Sequence, residues 1–155
     1  MKNVYTVLLI TGLFFMLSAC GGGGVGDGGS VDAPADSDIA ITVSPDEATI
    51  TDGSSTTVVD TYYFQIVVKK GDIPLRDVNL SISFPWAVPS PAGAVQLYDG
   101  ATKVDSPMNV TTDANGAYNL RFDYIRGGGV EYKGDLFVVS GSKSASATFE
   151  VALPD

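Results

Sequence analysis

The chain reads as an all-β protein, an antiparallel two-sheet β-sandwich of about seven or eight strands, on three observations. Apolar and polar residues alternate with period two through successive segments from Ile39 to Val151, as strands with one buried face require. Turn residues return about every 8–12 positions, the spacing of short strands in a sandwich. No stretch of ten residues shows a 3.6-residue period, so helix is expected to be nearly absent. Two packed sheets sharing a core about 10 Å thick need one inward face per strand. A closed barrel would show the same alternation, so periodicity alone leaves that architecture open.

Ile39, Ile41 and Val43 point one way, with Ala40, Thr42 and Ser44 opposite. Pro45-Asp46-Glu47 interrupts, Ala48 and Ile50 resume, and Asp52-Gly53 turns the chain. Tyr62, Phe64, Ile66 and Val68 line one face of a long strand closed by Lys69-Lys70-Gly71-Asp72. Pro74 excludes a central strand there, because it cannot donate to a ladder. Val78, Leu80, Ile82 and Phe84 alternate with polar residues, and Pro85–Pro91, with three prolines and Trp86, predicts a loop or a sheet-switching edge. Val95 and Leu97 form a short strand ended by Asp99-Gly100, a hairpin signal. Met108 and Val110 follow, then the turn Asp113-Ala114-Asn115-Gly116. Tyr118, Leu120, Phe122 and Tyr124 face inward against Asn119, Arg121 and Asp123. Tyr132, Leu136 and Val138 come after Gly127–Gly129, with Phe137 and Val139 on the other side. The last strand turns Ala145, Ala147, Phe149 and Val151 inward.

Ahead of this domain, Lys2 and the apolar run Val4–Leu17 have the charge pattern and length of a secretory signal, short of the roughly 20 residues of a membrane span. Leu17-Ser18-Ala19-Cys20 resembles the lipobox of bacterial lipoproteins. The resemblance implies that residues 1–19 are removed and that Cys20, the only cysteine, carries a diacylglyceryl group, with a further acyl chain such as palmitate on its amine. Gly21 after the cysteine, and not Asp, resembles the outer-membrane address of Gram-negative lipoproteins. Residues 20–37 then read as a tether, with seven glycines between Gly21 and Gly29 and almost no apolar side chain to offset ordering entropy. Such a segment spans roughly 20–25 Å on average and about 60 Å when straight. Residues 38–155 form one domain, large enough to build a core without disulfides.

The net charge of −9 becomes about −10 without Lys2 and argues against nucleic acid and against adsorption on anionic headgroups. The chain has no histidine, which removes the usual general base and the commonest transition-metal ligand. Ser140-Gly141-Ser142-Lys143 spells S-x-x-K, but that motif works where a helix start aims both side chains into a cleft, with partner motifs elsewhere. Here it falls in a turn between strands, and the partner motifs are missing. Asp36 with Asp38, Asp46 with Glu47, and Asp113 with Asn115 lack the spacing and distal Glu of a calcium loop. Asp and Asn in turns bond their own backbone. The glycine runs precede no helix that could receive a phosphate. No catalytic residue, metal site or cofactor is expected. Trp86, held among prolines, is either an exposed contact for a carbohydrate or protein or a lid over the core beside Phe84.

Ile41-Thr42-Val43-Ser44-Pro45, Thr51-Asp52-Gly53, Gly71-Asp72-Ile73-Pro74-Leu75, Thr112-Asp113-Ala114-Asn115-Gly116-Ala117 and the closing Ser144–Val151 occur in order. Together they resemble the bacterial Ig-like domains of the invasin and intimin type over about residues 39–152. The Thr-Asp-Ala-Asn-Gly turn and Pro74-Leu75 are also similar to carboxypeptidase-regulatory-type sandwiches. These resemblances imply a non-catalytic, lipid-anchored envelope module for adhesion, structural or protein–protein interaction work. The alternative is a glycan-binding accessory lipoprotein that uses Trp86. The expected partners are the membrane through Cys20, a protein, and a possible glycan.

Overall fold

The computed structural model describes residues 31–32, 38–85 and 94–155; the leader, Cys20, most of the tether and Trp86 lie outside them. The strands are β1 (Val31–Asp32), β2 (Ile39–Ser44), β3 (Glu47–Thr51), β4 (Val58–Lys70), β5 (Ile73–Pro74), β6 (Val78–Ser83), β7 (Val95–Asp99), β8 (Thr102–Val104), β9 (Met108–Thr111), β10 (Ala117–Arg126), β11 (Tyr132–Ser140) and β12 (Lys143–Ala152). One sheet runs β2-β4-β10-β7-β8 with β5 on β4, and the other runs β1-β6-β11-β12-β3 with β9 on β6. Setting aside the short or split pieces, β2, β4, β10 and β7 share one sheet while β6, β11 and β12 share the other. That places the first, second, fifth and fourth of seven strands together, and the third, sixth and seventh together, which is the immunoglobulin order.

The strand count exceeds the seven or eight expected because short pieces join the sheet margins. β1 pairs in parallel with Val78 and Asn79 from inside the segment read as tether. β5 is two residues long and sits on the margin of β4, as Pro74 requires. The first predicted strand also splits. β2 pairs antiparallel with β4 up to Ser44 opposite Gln65, whereas β3 pairs in parallel with β12. The chain leaves the first ladder at Pro45, after Ser44 opposite Gln65, and the Asp46 carbonyl accepts from Thr148 N–H at 2.9 Å to start the second. The β3–β12 and β1–β6 ladders are therefore parallel in a sandwich otherwise antiparallel throughout.

The inward faces meet as the alternation requires. Phe64, Ile66, Val68, Ile82, Leu120, Phe122, Leu136, Val138, Phe149 and Val151 are fully buried. Phe122 meets Phe149 edge-to-face at 4.8 Å and stacks on Phe64 at 5.8 Å, with Tyr124 against Phe149 at 5.1 Å. Each such pair adds about 0.5–1.5 kcal/mol beyond its buried area.

Two polar devices lock the ends. The fully buried Tyr132, at the start of β11, donates its hydroxyl to the Ile125 carbonyl at 2.6 Å, the tyrosine corner of immunoglobulin sandwiches. Buried Thr112 accepts from Val78 N–H at 3.0 Å and donates to the Leu75 carbonyl at 2.7 Å. Asp113 next to it accepts from the N–H groups of Asn115 and Ala117 at 2.8 and 2.9 Å. The Thr-Asp-x-x-Gly turn is thus a clasp between β6, β9 and β10.

Candidate interaction surface

β4 is 13 residues long and β2 only six, and this mismatch creates an open edge. The backbone direction along β4 follows from its bonds. Val68 donates to Gly116 and accepts from Leu75, on the β10 side, while Gly71 donates to Asp38, on the β2 side. Even-numbered residues of β4 therefore turn their N–H and C=O groups to β10 and odd-numbered ones to β2. The β2 ladder stops at Gln65. Among the described residues, Val59, Thr61 and Tyr63 present backbone groups to no neighbouring strand.

Their side chains add apolar surface at the same edge. Val59 is 66% exposed and Tyr63 58% exposed, where sheet edges are usually blunted by lysine or proline. The outer face beside them is ordered. Register aligns Tyr63, Arg121 and Tyr98 in one row across β4, β10 and β7. The Arg121 guanidinium lies 4.5 Å over the Tyr98 ring and pairs with Asp123 at 3.2 Å, and Thr61 donates its hydroxyl to Asp123 at 2.7 Å. One device partly closes the edge: the Asp60 carboxylate accepts from Thr61 N–H at 2.9 Å.

Asp60 is held by Arg126, whose Nε lies 3.1 Å away, while the other arm of the guanidinium pairs with Asp52. The Ser54 N–H, and then Arg126, hold Asp52 below the usual carboxylate range; Thr61 N–H, and then Arg126, do the same for Asp60. The amides of Ala117 and Asn115 likewise lower Asp113. A depressed folded-state pKa contributes stability that is present above the unfolded value and lost as pH falls through the folded one. With no histidine in the chain, little titrates between about pH 5 and 8. The unfolding midpoint, followed by circular dichroism, is expected to be flat across that window and to fall below about pH 4. Arg126→Met should make the acid limb shallower. A midpoint that drops between pH 8 and 5, or an unchanged acid limb in the variant, would contradict the assignment.

The other residues singled out in the sequence do not converge. Ser140 is buried at the end of β11 opposite Lys143, while Ser142 sits exposed on the intervening turn. Asp113 spends one carboxylate oxygen on two backbone amides, as turn chemistry predicts. Among the described residues no three His, Cys, Asp or Glu side chains gather as metal ligands. The functional groups of the edge are backbone, so no motif of reactive side chains marks it in the sequence. Its one sequence signal is the length of β4 against that of its neighbour.

No family model and no curated protein matches the sequence. Among solved structures, the chain is similar to WR4, an MSP family member of C. elegans, at 13% identity over 74% of this chain and 97% of that one, with a TM-score of 0.40. It is similar to the adhesin InvE of Yersinia pseudotuberculosis at 14% identity over 79% of this chain and 32% of that one, with a TM-score of 0.43. AggA, the major subunit of aggregative adherence fimbriae type I of Escherichia coli, matches at 12% identity over 83% of this chain and 100% of that one, with a TM-score of 0.41. The chain thus spans about a third of the InvE structure.

Proposed function

We propose that this protein is a non-catalytic lipoprotein of the outer membrane, held by acyl chains on Cys20, whose Ig-like domain of invasin and intimin type takes up an extended strand of a partner protein in adhesion or envelope assembly. The observation that carries the reading is the edge of β4, unpaired among the described residues, where Val59 and Tyr63 offer N–H and C=O groups and Thr61 its C=O between exposed apolar side chains. Strand addition draws affinity from main-chain hydrogen bonds and specificity from alternate side chains. A strand laid on this edge would meet Val59 and Tyr63 on one face, beside the Arg121–Tyr98 platform.

A photoreactive phenylalanine analogue in place of Tyr63 tests this in native cells. It should give a discrete protein adduct, and the same analogue in place of Ser146, on the opposite sheet, should give none. Val59→Lys, a substitution of the kind that blunts natural edges, should reduce the adduct at least tenfold with the unfolding midpoint unchanged. Absence of an adduct at the edge, or an adduct indifferent to Val59→Lys, would remove the edge as the partner site.

A further inference from the structure

The outer face of the second sheet divides into two chemically different halves. Near the start of β11 its charges are spent on one another. Lys133 pairs with Glu150 at 3.1 Å, and Thr148 donates to Asp135 at 2.9 Å. Toward the β11–β12 turn, register aligns Asn109, Ser81, Val139 and Ser144 in one row and Ser83, Phe137 and Ser146 in the next. Asn79 lies beyond them beside Thr111. None of these residues is charged, in a chain of net charge −9, and the acidic Asp32 of β1 aligns with Asn79 at their margin. Phe137 and Val139 stand 41% and 42% exposed among them.

This half-face is also indented. β11 ends at Ser140, so beyond the Ser81–Val139 pair Asn79 has the turn at Gly141 and, in parallel register, Asp32 of β1 beside it. A depression of about 370 Å³ lies there, bounded by Asn79, Ser81, Asn109, Val139 and Gly141. Whereas Thr148 and Lys133 are engaged, no described protein group takes up the side chains of Asn79, Ser81 or Asn109.

We infer that this half-face binds a neutral saccharide. A sugar hydroxyl both donates and accepts, and so do the groups on offer: a carboxamide carries two donors and an acceptor, and a serine hydroxyl carries both functions. Phe137 and Val139 give the apolar platform against which the C–H face of a pyranose ring can lie, with the amides fixing its orientation from one side. An anionic ligand would lose hydration here without gaining a counter-charge, and the acidic field of the protein repels polyanions. A protein partner fits this half-face less well, since the cores of protein interfaces favour Tyr, Trp, Phe, Met and Arg, of which these rows hold Phe137 alone, and are depleted in Ser. The site is on the sheet opposite the β4 edge and does not depend on it.

Affinity electrophoresis of the full-length protein in non-ionic detergent tests the assignment. The probes are gels cast with a neutral β-glucan, a neutral mannan or dextran, and dextran sulfate is the polyanionic control. Retardation is expected in at least one neutral gel, unaffected by 0.5 M salt (roughly three times physiological ionic strength), and absent in dextran sulfate. The double variant Asn79→Ala/Asn109→Ala and, separately, Phe137→Ser should each weaken it at least tenfold while the strand-type circular dichroism and unfolding midpoint stay in place. Val59→Lys should leave it unchanged, which separates this site from the strand-binding edge. The inference is overturned by migration unaltered in every neutral gel, by retardation that both variants retain, or by retardation confined to dextran sulfate and abolished by salt.

Discussion

Gly116→Ala is expected to destabilise the domain by about 3 kcal/mol or more, a large share of the 5–15 kcal/mol that holds a typical domain folded. Two costs add. Gly116 has φ of +67°, a conformation that costs an L-residue roughly 1–2 kcal/mol. A Cβ there would also lie 2.6 Å from the Val68 carbonyl oxygen and 2.8 Å from the Leu75 nitrogen. Those atoms cannot yield cheaply, because Leu75 N–H donates to that same carbonyl at 2.9 Å while Val68 N–H donates to Gly116 at 2.8 Å. Making room would break the junction at which β4, β5 and the turn into β10 meet. Gly100→Ala is the control: φ is +58° but nothing lies within 4 Å of its Cβ, so only the conformational cost of about 1 kcal/mol should appear. Urea unfolding of the two variants checks this. Equal losses would mean that the close approach at Gly116 contributes nothing.

The same turn shows what the sequence makes legible and what it hides. The Asp113–Gly116 turn and the inward faces of β4, β10 and β12 are visible because turn chemistry and period-two alternation are local properties. The bonds that make the turn a clasp are not: Thr112 reaches residues 34 and 37 positions away, and nothing adjacent to a threonine announces such partners. The Tyr132 hydroxyl is a parallel case. Alternation turns its ring inward, but the bond to Ile125 depends on how β11 enters the sheet. The surfaces were legible only in part. Phe137 and Val139 stand out in sequence as apolar residues on both sides of one alternating strand, whereas the grouping of Asn79 with Asn109 requires the β6–β9 pairing. The edge of β4 becomes open only because Pro45 sends the chain to the other sheet, and a proline-interrupted strand does not declare which sheet its second half will join.

Cys20→Ala should abolish incorporation of labelled palmitate and remove the protein from the outer-membrane fraction. Among the described residues no helix is long and apolar enough to cross a membrane, and a chain of net charge −9 gains nothing from the negative surface potential of anionic lipids. On the proposed reading attachment rests on acyl chains at about 0.8 kcal/mol per buried methylene, with one chain binding reversibly and two or three holding stably. Without the thiol no diacylglyceryl group can form, and without that group the leader should stay uncut, so the variant should run heavier than the mature wild type by the mass of residues 1–19 less the added lipid. Fractionation alone is ambiguous because a retained leader can itself sit in the inner membrane, and the mass and the label resolve it. Wild-type protein from native cells that carries a free Cys20 thiol together with residues 1–19 would show that the attachment is not lipid, and the β4 edge would then have to be placed in the envelope by some other means.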